Sequence, residues 1–127
     1  MKIISNIKRF LIGVENTTTP DSYINLGKRQ GRRLHGIDEA EIFIKIYIEA
    51  VANLENNQNL VIDCSDVVSW NDKFLYKVTR TLVEDGFLTK LFYTRRISFI
   101  NNIEFKESFE DYLDTYLNIQ SVTSDLN

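Results

Sequence analysis

The sequence predicts a small α/β domain with crossover helices on a small mixed sheet. Three observations carry that expectation. Segments 59–118 alternate strand, helix, strand, helix, which is the order of a layered α/β unit. Residues 59–65 (NLVIDCS) are apolar nearly throughout, as in a strand covered on both faces. Residues 104–118 hold Phe105, Phe109, Tyr112, Leu113, Tyr116 and Leu117 at helical spacing.

Taken in chain order, residues 7–14 (IKRFLIGV) suit an early strand, and the polar stretch around Pro20 suits a loop within one domain. Residues 38–54 carry two patterns. Ala40, Phe43, Ile44, Tyr47, Val51 and Leu54 form a helical stripe, whereas Ile42, Ile44, Ile46 and Ile48 alternate as a strand would. Length and the opening Asp38, Glu39 and Glu41 favour helix. A turn is expected at 55–58. After the 59–65 strand, a helix is expected over 71–85, from Phe74, Leu75, Val78 and Leu82, with Ser69 or Asn71 as its cap and Gly86 as its stop. A further strand is expected at 95–101 and the helix at 104–118, with 119–127 fraying.

A chain of 127 residues fits one domain and buries about two-thirds of its unfolded surface, so it folds without staples. Its single cysteine excludes an intrachain disulfide and a cysteine-rich zinc site. No apolar run approaches a membrane span and no cleavable leader is visible, so a cytoplasmic setting with no membrane partner is expected. The net charge of −3 divides unevenly, with +5 on residues 1–36 and −8 on residues 37–127. Lys28, Arg29, Arg32 and Arg33 form a candidate basic patch for phosphates or an acidic partner. No aromatic residues interleave with them to stack bases, so nucleic acid is the weaker expectation.

The sequence holds no complete catalytic set and no cofactor motif. His35 is the only histidine and has no serine-nucleophile motif beside it. Cys64 suits a small core hydrophobe, and the GKRQG stretch lacks the spacing of a phosphate loop. Asp63, Asp66 and Asp72 with Lys73 are the one set resembling a metal-dependent nuclease, but Asp72 and Lys73 open a helix instead of sharing a second strand.

The stretch from Asn59 to Gly86 resembles the STAS-like domains, bacterial and phage proteins related to the sulfate-transporter and anti-sigma-factor-antagonist fold. The strand ends in Asp63, and Ser65, Val67 and Phe74 follow at the family's places. Upstream, Gly31, Arg32, Leu34 and Ile37 are similar to its Gly-Arg-x-Leu-x-x-Ile stretch, and the strand and helix after residue 95 are similar to its closing elements. The resemblance spans about 26–118, and segment 38–54 is longer than the family's usual connection.

The resemblance implies a non-catalytic regulatory module that docks a protein, such as a GHKL-type ATP-binding regulator, through the loop and helix start formed by Asp66, Ser69, Trp70, Asn71, Asp72 and Lys73. The related antagonists are switched by phosphorylation of a serine at this helix start. Here Asp72 or Lys73 stands at that place, so the switch is not carried over. Two alternatives stay open: a phage or mobile-element inhibitor that binds a nucleic-acid-handling protein through acidic surface, and the nuclease reading above. A homodimer also stays open.

Overall fold

A computed structural model describes residues 21–126. The strand expected at 7–14 and the loop around Pro20 lie outside the described residues. The elements are β1 (Ser22–Asn25), α1 (Leu26–Gln30), β2 (Arg33–Leu34), α2 (Gly36–Ala52), β3 (Leu60–Asp63), β4 (Ser69–Trp70), α3 (Asp72–Glu84), α4 (Lys90–Arg96), β5 (Ile97–Ile100) and α5 (Ile103–Leu126). The protein is therefore a small α/β fold, as expected.

Among the described residues the sheets are parallel rather than mixed. β1, β3 and β5 form one sheet with β3 central, and β2 pairs with β4 in a second ladder two residues long. Ile24, Ile62 and Phe99 lie side by side in register and are all buried. Parallel partners share a face, so these three point into the core. The next row, Tyr23, Val61 and Ser98, points the other way: Tyr23 is 58% exposed, Val61 half-buried and Ser98 exposed. The expectation of a strand covered on both faces is thus corrected: Val61 and its row neighbours face partly into water.

Segment 38–54 resolves to helix. Ala40, Phe43, Ile44 and Tyr47 of the helical stripe are buried, while Ile42 of the alternating set is 48% exposed. A strand would have buried all four alternating isoleucines together. α2 packs on α3, and α3 packs on α5. Phe99, Phe105 and Phe109 build the other side of the core with Tyr93, at ring-centroid distances of 4.7 Å (Phe99–Phe109) to 6.1 Å (Tyr93–Phe99). α3 ends where expected: Gly86 takes φ +82°, a conformation that glycine adopts without a steric penalty.

Helix α5 runs to Leu126. Two further expectations are corrected. The segment 95–101 is strand only from Ile97, because Arg95 and Arg96 close α4. α2 begins at Gly36, two residues before Asp38. Among the described residues no helix is long and apolar enough to cross a membrane.

Candidate docking surface

The site is built at the carboxyl ends of the strands, where a parallel sheet places its loops. The β3 strand runs out in Asp63, whose side chain is only 6% exposed. Both oxygens of its carboxylate are engaged. Oδ2 accepts from the Tyr23 hydroxyl, and Oδ1 accepts from the Ser65 amide at 2.9 Å and the Asn101 carboxamide at 3.1 Å. The Tyr23 hydroxyl above all, then the Ser65 amide and Asn101, hold this carboxyl far below the usual aspartate range. Asn101 reaches it from a left-handed turn at φ +69°, a conformation asparagine tolerates better than most residues. Asp63 therefore ties the ends of β1, β3 and β5 together.

The loop that follows is anchored at each end. Cys64 and Val67 are buried, and Asn102 donates to the Val67 carbonyl at 3.2 Å. Burial above all, then the Asp63 charge, pushes the Cys64 thiol up to about 12, which keeps it a protonated core group. At Gly27 the loop comes so close that a Cβ would sit 2.3 Å from Cβ of Asp66. Gly27 is therefore required for the loop to rest on α1.

The β2–β4 ladder is the feature that the sequence patterns did not disclose. Arg33 pairs with Ser69 and Leu34 with Trp70, and the Val68 amide donates to the Arg32 carbonyl at 2.8 Å. Leu34 faces inward and is fully buried, so Arg33 and Ser69 face outward. Ser69 Oγ lies 2.8 Å from Nε2 of the exposed His35. The stretch carrying Gly31, Arg32 and Leu34 and the loop after Asp63 are thereby one continuous surface.

The six residues expected to dock a partner divide into two groups. Asn71 is structural: its Oδ1 caps α3 by accepting from the Phe74 amide at 3.0 Å and also accepts from the Gly36 amide at 3.2 Å, where α2 begins. Trp70 is half-buried and meets Phe105 edge-on at 5.2 Å, so much of it is core. Asp66 and Ser69 are half-buried in the loop, while Asp72 and Lys73 are exposed at the start of α3. The Asp72 carboxylate above all, then burial, pushes the Tyr112 hydroxyl of α5 up to about 12.

Val68, 49% exposed, belongs to the same surface, and Ile103, 61% exposed, opens α5 next in the chain to Asn102. Val68 adjoins the Arg32 carbonyl, and Ile103 follows the Asn102 that holds Val67. Ile37, part of the family-like stretch, is 45% exposed at the start of α2. Single exposed apolar residues give no periodic signal, which is why the sequence did not flag them.

Among the described residues no three His, Cys, Asp or Glu side chains are placed to hold one metal ion. Asp63 turns to Tyr23 and Asn101, so the acidic set does not converge. A concavity of about 420 Å³ runs beside β5 between α4 and α5, and no residue of the loop after β3 lines it. Its Lys90 and Lys106 are already paired with Asp114 and Glu110.

No protein-family model, curated protein or solved structure matches this chain.

Proposed function

We propose that this chain is a non-catalytic regulatory module of STAS-like type that docks a protein partner through the loop and helix start after Asp63. The observation that carries the reading is the β2–β4 ladder. It joins the two stretches on which the family resemblance rests, one holding Gly31, Arg32 and Leu34 and one holding Ser65, Val67 and Phe74, into a single lip. Exposed Val68 supplies apolar contact there, and Asp72 and Lys73 supply a polar rim, the usual division of labour at a protein interface. A GHKL-type ATP-binding regulator in the bacterial or phage cytoplasm is the partner that the resemblance implies.

The inhibitor reading depends on free acidic helix faces. Glu110 and Asp114 are engaged by Lys106, Tyr93 and Lys90, and Glu84 by Arg80 and Tyr116, whereas Glu104, Glu107 and Asp111 of α5 are exposed and make no ion pair with a described residue, so this reading keeps an acidic face in its support. The nuclease reading needs a convergent acidic set, and among the described residues no three His, Cys, Asp or Glu side chains are placed to hold one ion. It therefore receives less support than docking.

The test compares partner capture by wild type and by Val68→Asp/Lys73→Glu. Both positions are exposed, so the fold survives the change. Loss of a partner that wild type retains supports the lip. Undiminished recovery of every partner rejects it.

A further inference from the structure

We infer that the partner presents an acidic, partly apolar polypeptide segment to Lys28, Arg29, Arg32 and Arg33. This rests on the docking reading and names the chemistry of its occupant. All four side chains are exposed, and none makes an ion pair or a side-chain hydrogen bond with a described residue. Four like charges within six residues repel one another, an arrangement that an external anion relieves.

Position and surroundings set the kind of anion. Arg33 stands beside Ser69 on the outward face of the ladder, and Arg32 holds the Val68 amide through its carbonyl. Arg32 and Arg33 therefore lie on the strand beside the one that carries Ser69, with the exposed Val68 next to it, so the ligand that matches this end of the basic stretch carries carboxylates next to apolar side chains. A nucleic acid fits less well. Its charge continues at about one phosphate every 1.7 Å along the duplex, whereas the cations span only residues 28–33. Beyond them lies a chain whose residues 37–127 carry −8, with Asp66 and Asp72 in the lip itself. A short acidic segment ends before it meets that repulsion.

The experiment uses fluorescence anisotropy with two probes: a 16-residue peptide with Glu and Leu at helical spacing, and a 16-base-pair DNA duplex. Proteins are the full-length wild type and Arg32→Glu/Arg33→Glu, each checked for fold by circular dichroism, at 50 and 300 mM salt. The inference expects the peptide to bind wild type more tightly than DNA does. It also expects charge reversal, and separately the higher salt, each to weaken binding roughly tenfold.

Tighter binding of DNA than of peptide overturns the inference in favour of nucleic acid. Absence of peptide binding at 50 mM salt, or binding indifferent to charge reversal, overturns it outright. Partner capture separates the two levels. If Val68→Asp/Lys73→Glu loses the cellular partner while Arg32→Glu/Arg33→Glu keeps it, docking stands and the acidic-partner inference falls. If both keep it, the docking reading falls first.

Discussion

Tyr23 and Asp63 are diagonal neighbours on the same face of the β1–β3 pair, and the tyrosine hydroxyl donates to the aspartate carboxylate. The bond works in both directions: it holds the Asp63 proton off to low pH and raises the Tyr23 hydroxyl above its ordinary range. Because Asp63 also holds Ser65 and Asn101, this pair fixes where the loop after β3 leaves the sheet.

A pH dependence follows from that pair. A carboxyl depressed in the folded state stabilises above its ordinary value of 3.8, and the contribution fades as pH falls through the folded value. Tyr23→Phe removes one hydrogen bond to the carboxylate and is expected to cost about 1 kcal/mol at pH 7. In urea titrations from pH 7 to pH 2, the gap between wild type and Tyr23→Phe should narrow below about pH 4. A gap of constant size would show that the carboxylate charge plays no part.

Asn71 serves two helices at once, accepting from Phe74 in α3 and from Gly36 at the start of α2. Asn71→Ala should cost about 1–2 kcal/mol, the upper part of the range for a lost cap. Ser69→Ala, which leaves the cap in place, should stay within about 0.5 kcal/mol of wild type. Chemical denaturation of the two variants ranks them, and equal stability would deny Asn71 its double role.

Trp70→Ala is expected to be a stability mutation. The ring packs edge-on against Phe105, so truncation should cost about 2–3 kcal/mol, less than a fully buried tryptophan. Thermal unfolding should show a lower midpoint, so a loss of partner binding in this variant would not by itself locate the interface. An unchanged midpoint would mean that Trp70 is free to serve as a surface anchor.

Gly27→Ala should push the loop after β3 off α1. The added Cβ would lie 2.3 Å from Cβ of Asp66 and 3.0 Å from its carbonyl carbon, neither of which is a flexible side-chain end. The expected cost is about 1–3 kcal/mol, with weaker partner capture at retained helical content. Asp66→Gly in the same chain should recover part of the loss, because the backbone contact remains. A fully stable Gly27→Ala with normal capture would mean that the loop does not rest there.

The parts legible in the sequence were those long enough to show a period. The α3 stripe of Phe74, Leu75, Val78 and Leu82 and the α5 stripe from Phe105 to Tyr116 appear as buried faces. β3 was legible because three apolar residues precede Asp63. The five-residue α1 and the two-residue β2 and β4 carry no detectable period, so the ladder that assembles the lip was hidden. β1 was hidden for a related reason: in Ser22–Asn25 only Ile24 is buried. The end of α4 reads as strand in the sequence because Arg95 and Arg96 adjoin the alternating Ile97 and Phe99. Of the candidate site, the acidic residues were placed correctly along the chain. Their partners Tyr23, Asn101 and Tyr112 are distant in sequence, and only the fold brings them near.

The most direct measurement is amide hydrogen exchange on the full chain with and without its captured protein partner. Simultaneous slowing in residues 28–34 and 66–73, with little change along α4, is the predicted result, since both segments belong to one ladder-joined surface. Slowing confined to the acidic face of α5 or to the concavity beside β5, with 28–34 and 66–73 unaffected, would contradict it.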